Sequence, residues 1–274
     1  MNFDDEDHSV SSVLSGKTVF AAASARLLPE LTAGLRAFGA NVLPVVVLEA
    51  KEIEDNAALD SAITNISQYD WIIFTSAWGV SFFSKRSSKF AKNAIFTPKI
   101  CVIGTATAEA AEKHGFSITL TANEFTAEGV MQCMELYHGG VKNMRDIRVL
   151  IPRAMEARGF LPSALASAGC RVDTIPCYQA VMPGPDDETS ARLQNTKPDL
   201  IVFTSAKTIR NYLKIAAGAI GEKNARRGLN AATVAVVGPV TARALALEGK
   251  VAEIIPSENS LPALLNAISG FQKN

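Results

Sequence analysis

The chain has 274 residues, 48% of them hydrophobic, enough for one large domain or two compact ones with separate cores, and two is the better starting expectation. Its 27 Lys and Arg balance 27 Asp and Glu, so no global positive field exists to hold nucleic acid or an anionic membrane surface, and any anionic ligand must be bound locally. No apolar run approaches the roughly 18 residues of a membrane span. Cys101, Cys133, Cys170 and Cys177 lack both CxxC spacing and a companion His cluster, so a cytoplasmic protein with reduced, buried thiols and no metal is expected.

The first twelve residues, MNFDDEDHSVSS, are acidic and polar, unlike a signal peptide, and read as a disordered tail. KTVFAAA (17–23) is a short apolar run. RLLPELTAGLRAFG (26–39) then spaces Leu28, Leu31, Leu35 and Phe38 at helical intervals before a Gly stop, so a strand and a helix open the fold. NVLPVVVLEA comes next as a second apolar run broken by Pro44, and 54–67 returns to a helix-compatible pattern. From Asp70 the alternation is steady: strand DWIIF, helix AWGVSFFSKRSSKFA, strand KICVIG, helix TATAEAAEKHG, strand SITLT, helix AEGVMQCMELY, strand DIRVLIP, helix GFLPSALASAG, strand CRVDTIPCYQAV. It resumes at PDLIVF and runs through VAVVG, TARALALEG, a short VAEII and a final helix near 261–271. Continuous Val, Ile and Leu strands alternating with helices predict an α/β protein with parallel sheets covered on both faces.

Within this pattern the chain repeats itself. IIFTSAWGVSFF (72–83) returns as IVFTSAKTIRNYL (201–213), and CVIGTATAEAAEKHG (101–115) returns as AVVGPVTARALALEG (235–249). Ser76 falls over Ser205, Gly104 over Gly238 and Thr107 over Thr241, which implies two similar α/β halves. Residues 55–172 hold a complete run of elements, whereas the second copy begins only near 184 and lacks a first strand and helix that the opening unit can supply. The expected organisation is therefore a discontinuous domain, 13–44 plus 183–274, and an inserted domain, 55–172. Linker strands at 45–54 and 173–182 would pair as a two-stranded β-ladder hinge.

In each copy Thr-Ser falls where a buried strand gives way to a helix, at Thr75-Ser76 and Thr204-Ser205. A Ser there can simply cap the helix. The same edge is also where open parallel sheets bind ligands, because helix N-termini offer free N–H donors and a positive dipole end. Gly104-Thr105-Ala106-Thr107 and Gly238-Pro239-Val240-Thr241 repeat the arrangement one strand over, with glycine allowing close backbone approach. Neither GxGxxG nor GxxxxGK[ST] occurs, so a nucleotide has no usual warrant. Residue pattern alone reaches a two-domain polyanion binder, with two such edges suited to a ligand carrying many carboxylates.

Taken in order, FTSAWGVSFF, VIGTATAEAAEKHG, DTIPCYQAV, FTSAKTIRNYL and VVGPVTARALALEG resemble the uroporphyrinogen-III synthase family over about residues 17–270. The resemblance implies two α/β domains joined by a two-stranded ladder and conversion of hydroxymethylbilane to uroporphyrinogen III, with loss of water and inversion of ring D. It implies no cofactor, a monomer, and possible transient handover from the upstream deaminase. Tyr178 matches the family's ladder-strand tyrosine and is implied as the proton donor to the departing hydroxyl. Thr75, Ser76, Thr105, Thr107, Ser205, Ala206, Thr241 and Arg153 are implied in binding the substrate. Departures from the family are Ala22, Ala23 and Ser24, where an Arg and Pro are common, Trp78 at a helix start usually polar or small, and Ala154 in place of Gly. Arg153 and Arg158 face carboxylates on one reading and water on the other. A non-catalytic sensor of tetrapyrroles or polycarboxylates is the alternative from another class. A transferase acting on a phosphorylated small molecule is a further one, disfavoured by the symmetry of the motifs. His8, His114 and His138 read as tail, helix end and loop, without a catalytic part.

Overall fold

A computed structural model of the protein describes residues 13–90, 98–122, 126–157 and 159–271. The expected tail at 1–12, with His8, and Arg158 lie outside the described residues. The first elements are β1 (Thr18–Ser24), α1 (Leu28–Ala37), β2 (Asn41–Glu52), α2 (Ala57–Thr64), β3 (Trp71–Phe74), α3 (Ala77–Phe90), β4 (Lys99–Ile103) and α4 (Thr105–Lys113). They continue as β5 (Ile118–Ala122), α5 (Ala127–His138), β6 (Arg148–Ala154), α6 (Phe160–Ser167), β7 (Arg171–Val181), α7 (Asp187–Asn195) and β8 (Leu200–Phe203). The last are α8 (Ala206–Ile220), α9 (Glu222–Ala231), β9 (Thr233–Val236), α10 (Pro239–Leu247) and α11 (Leu261–Ser269).

The protein is α/β, and five details differ from the sequence pattern. β2 runs through Pro44, which sits opposite Ala21 of β1, because a proline is harmless where the ladder does not call on its missing N–H. Helices α7 and α9 were not predicted: α7 buries only Leu193, and α9 buries only Ala225 and Leu229 while carrying Gly228. VAEII contributes a single bridge, Ile254 to Ala235, rather than a strand. His138 is the last residue of α5, not part of a loop, and Cys133 is only half-buried.

The chain divides into two units. One runs to Glu49 and resumes at Val181; the other is Ala50–Ala180, so β2 and β7 each carry the chain across the division. The strand order is β2-β1-β8-β9 in the discontinuous unit and β7-β6-β3-β4-β5 in the other, all parallel within each unit. Helices cover both faces of each sheet, so β3 (WIIF) and β8 (LIVF) are buried at every position. The twofold side-chain period sends Ile72 and Phe74 into one cluster and Trp71 and Ile73 into the opposite one. Ile201 and Phe203 likewise separate from Leu200 and Val202.

The internal repeat extends beyond the two motifs. Asp70 takes a hydrogen bond from Arg148 N at 2.8 Å and donates its own N–H to Arg148 O at 2.9 Å; Asp199 does the same with Thr18 at 2.8 and 2.9 Å. β6 and β7 slip register between Arg153 and Ala154, and β1 and β2 between Ala23 and Ser24. Just past each slip, Met155 N donates to Tyr178 O and Ala25 N to Leu48 O, both at 2.9 Å. The strands β1 and β2 thus stand in the places that β6 and β7 hold in the other unit, although they come first in the chain.

Two polar clamps fix the Ala50–Ala180 unit near its point of entry. Asn56 caps α2, its Oδ1 accepting from Leu59 N at 3.1 Å, while its Nδ2 donates to Pro176 O on β7 at 2.6 Å. Asn56→Ala deletes both bonds from a buried site and is expected to destabilise the protein by about 2 kcal/mol in denaturant unfolding. Arg86 on α3 reaches Asp60 on α2 at 2.6 and 2.8 Å, Glu54 O at 2.9 Å and Glu52 at 3.5 Å. Lys85 and Lys89 add pairs to Glu52 at 2.7 and 3.4 Å, so α3 is pinned to both α2 and the end of β2.

Candidate functional site

Two adjacent helices start at the carboxyl edge of each sheet: α3 and α4 after β3 and β4, α8 and α10 after β8 and β9. Ser205 caps α8 in a reciprocal box, its Oγ accepting from Thr208 N at 3.3 Å while Thr208 Oγ1 accepts from Ser205 N at 3.1 Å. Ser76 does the corresponding work for α3, its Oγ accepting from Gly79 N at 3.0 Å. Both serine oxygens therefore accept one backbone N–H, and each keeps its proton and a second lone pair for a further partner.

The second pair of helices is built differently. α4 and α10 begin at Gly104 and Gly238 with no side-chain cap hydrogen bond; α4 keeps its first N–H groups, whereas α10 starts on Pro239, which has none, and offers those that follow it, with Asn259 packed against Gly238. Thr107 and Thr241 stand in these first turns, 5% and 4% exposed, and neither hydroxyl has a hydrogen-bond partner among the described residues. Neither oxygen is among the fully sealed polar atoms, so both can still be reached. A buried hydroxyl normally finds a partner, because leaving it unpaired forfeits about 1–3 kcal/mol. Two of them at matching positions beside open helix ends make an anion the natural complement.

The Ala50–Ala180 unit has one feature that its repeat lacks. Tyr178 of β7 places its hydroxyl 3.0 Å from Ser76 Oγ, across 102 residues of sequence. Its ring stacks on Phe82 at 5.5 Å and 16° and meets Trp78 edge-on at 5.7 Å. Burial lifts the Tyr178 phenol above its ordinary range; the Ser76 hydrogen bond opposes the rise, and Cys177 and Glu156 add to it. Gly79 allows the close approach: a Cβ there would lie 3.2 Å from Pro152 O and 3.3 Å from Ser76 Oγ. At the matching positions of the discontinuous unit stand Lys207 for Trp78, Thr208 for Gly79, Asn211 for Phe82 and Leu48 for Tyr178. Asn211 there ties α8 to β2 through Val47 O at 2.7 Å.

The remaining predicted residues fall around these groups. Thr75 is half-buried beside Ser76, Thr105 is the exposed first residue of α4, and Ala206 is the half-buried first residue of α8. Arg153 is half-buried near the end of β6, and its guanidinium makes no ion pair among the described residues. Phe82 and Gly79 were missed by the sequence reading. The signal for Phe82 was available, since it lies four residues after Trp78 on the same helix face. Among the described residues no group of three or more His, Cys, Asp or Glu is placed to hold a metal. Burial pushes the Cys101 and Cys177 thiols up to about 12, as inert structural cysteines require. No described helix is long and apolar enough to cross a membrane.

A family model described as uroporphyrinogen-III synthase HemD matches residues 29–266. The uroporphyrinogen-III synthase of Synechococcus elongatus is 32% identical over 265 residues, 95% of this chain and 97% of that one. Among solved structures, the uroporphyrinogen-III synthetase of Helicobacter pylori superposes with a TM-score of 0.59 at 16% identity, covering 91% of this chain and 97% of its own. A uroporphyrinogen III synthase mutant from Thermus thermophilus gives a TM-score of 0.55 at 18% identity, covering 92% and 96%. At these identities the two structures speak to the fold alone.

Proposed function

The chain belongs to the uroporphyrinogen-III synthase family, and on that footing we propose that it closes hydroxymethylbilane to uroporphyrinogen III with Tyr178 as the proton donor. The observation that carries this assignment is the Ser76–Tyr178 contact, present in one copy of the repeat and absent from the other. Gly79 N–H donates to Ser76 Oγ, and in this assignment the serine proton is the one given to Tyr178 Oη across their 3.0 Å contact. The phenol proton is then directed at the substrate. Because burial raises this phenol, it is fully protonated at neutral pH and needs no tuning to serve as an acid.

The terminal hydroxyl of the bilane accepts this proton as its carbon–oxygen bond breaks, and water leaves. The electron pair of the neighbouring pyrrole fills the vacancy to give an azafulvene. Attack from the substituted carbon of ring D forms a spiro intermediate, and its reopening and closure invert that ring. The proton released on closure restores the phenol, so one water is the only by-product. Holding the two terminal rings in register supplies much of the rate. Phe82 and Trp78 fix the Tyr178 ring, so its hydroxyl does not wander.

The carboxylates of the substrate are assigned to the open N-termini of α4 and α10, with Thr107 and Thr241 donating. Thr105, Thr75, Ser205, Ala206 and Arg153 belong to the same assignment. Replacing Thr107 or Thr241 with valine is expected to raise KM roughly tenfold with a smaller effect on turnover. Since neither hydroxyl has a partner among the described residues, the melting temperature should hold or rise. A lowered melting temperature with unchanged KM would return both threonines to a structural role. Cytoplasmic placement, a monomeric state and handover of the bilane from the upstream deaminase complete the proposal; they rest on the family resemblance, and sedimentation tests the second.

The test of the whole assignment is a coupled assay in which the deaminase generates hydroxymethylbilane, this protein is added, and the oxidised products are separated by chromatography. Spontaneous closure gives isomer I. A dominant isomer III peak is expected, and isomer I alone from folded protein would favour the sensor reading.

A further inference from the structure

We propose a second small-molecule site in the discontinuous unit, on the sheet edge opposite Ser205 and Gly238, that takes a compact aromatic carboxylate. A cavity of about 300 Å³ opens there, at the lower end of the range for small-molecule pockets. Its walls come from the amino ends of the strands: Phe20 early in β1, Lys197 and Pro198 just before β8, and Ala231 at the end of α9. The edge of this unit assigned to substrate binding lies where the same strands finish, so the two sites are separate.

Tyr212 of α8 marks the cavity as more than a packing gap. It is 3% exposed, lines the cavity, and its hydroxyl has no hydrogen-bond partner among the described residues. The oxygen is not sealed, so it can be met from the cavity side. The internal repeat supplies the comparison. Tyr212 occupies the position of Phe83, and the two rings pack alike: Tyr212 meets Phe203 edge-on at 5.4 Å and 70°, Phe83 meets Phe74 at 5.5 Å and 66°. The hydrocarbon packing is satisfied by phenylalanine in one copy, and the other copy adds a hydroxyl that no described residue uses.

The charge of the lining selects the ligand. Lys197 and Arg227 are its only charged side chains, and neither makes an ion pair among the described residues. Both are exposed, as suits groups at a rim. Phe20, Leu193, Ile220 and Ala231 supply apolar wall below them. An aromatic ring seated on that wall, with an acidic group directed to the two cations and Tyr212 hydrogen-bonding to it, would give partners to Tyr212, Lys197 and Arg227 together.

Titration of the full-length protein with phenylacetate, phenyl phosphate and 2-phenylethanol, monitored by saturation-transfer NMR and calorimetry, tests this. Phenylacetate is expected to bind with a millimolar Kd and 2-phenylethanol at least about fivefold more weakly. Tyr212→Phe should weaken phenylacetate by roughly two- to tenfold. Gly228→Leu should abolish its binding: Gly228 lines the cavity, a Cβ there meets nothing within 4 Å, and removing a mid-helix glycine favours α9, so the blocked variant stays folded. The proposal is overturned by no detectable binding of phenylacetate up to about 20 mM, by unchanged affinity in Gly228→Leu, or by phenyl phosphate binding more tightly than the carboxylate.

Discussion

Tyr178→Phe lowers turnover about a hundredfold, the lower end of what a positioned acid contributes, and leaves KM within a few-fold of the wild type. The substitution removes one hydroxyl and keeps the ring, so the stack on Phe82 and the edge contact with Trp78 survive. Among the described residues the hydrogen bond lost is the one to Ser76, worth about 1 kcal/mol of stability. Isomer I rises in the product mixture, because the slowed enzyme competes with spontaneous closure. Ser76→Ala is the informative companion. It keeps the phenol but removes the α3 cap and the hydrogen bond that holds the Tyr178 pKa down, so the alkaline limb of the activity profile moves to higher pH. A purely structural serine would lower the melting temperature without moving that limb. Wild-type turnover and isomer III yield in Tyr178→Phe would remove the phenol from the chemistry.

Arg86→Ala destabilises the Ala50–Ala180 unit by about 2–3 kcal/mol, a melting shift of roughly 10 °C. Arg86 is 8% exposed, and its loss leaves the Asp60 carboxylate without the two bonds that hold it. The figure is kept below that for a fully buried pair because Asp60 and Glu52 side chains remain 25% and 19% exposed. The pair also sets a pH dependence. The Arg86 hydrogen bonds hold the Asp60 carboxyl below its ordinary range, and the Lys85 hydrogen bond, with Lys89, does so for Glu52. A carboxyl depressed in the folded state stabilises fully above its unfolded value, near 4, and loses that stabilisation as pH falls through the folded value. Wild-type stability should therefore fall steeply below about pH 4, and less steeply in Arg86→Ala. Equal slopes, measured by denaturant unfolding across that range, would show that the clamp contributes nothing. Since α3 carries Trp78, Phe82 and the Ser76 cap, a loosened α3 should also lower turnover.

Much of this architecture was legible along the chain because it depends on near neighbours. The strands β3 and β8 stood out as unbroken apolar runs, and the serine and glycine signals at their ends depend only on the few residues just beyond each buried strand. α9 was missed because two buried residues and a mid-helix glycine leave almost no periodic signal, and its place is decided by packing against α8 and β9.

By itself the sequence determined the α/β class, the two Thr-Ser and Gly-Thr edges and their repetition, since each arises from residues a few positions apart. Only the tertiary structure decided which hydroxyls are occupied. Ser76 and Ser205 read alike in sequence, yet the register of β7 against β6 brings Tyr178 to one, while the other is closed by Thr208. It also decided that Thr107 and Thr241 are buried without hydrogen-bond partners among the described residues and that Tyr212, aligned with a core phenylalanine, opens onto a cavity. The reason is physical: capping and periodicity are set within one turn of helix or one strand, whereas the pairing of a hydroxyl depends on ladder register and helix packing between segments about a hundred residues apart.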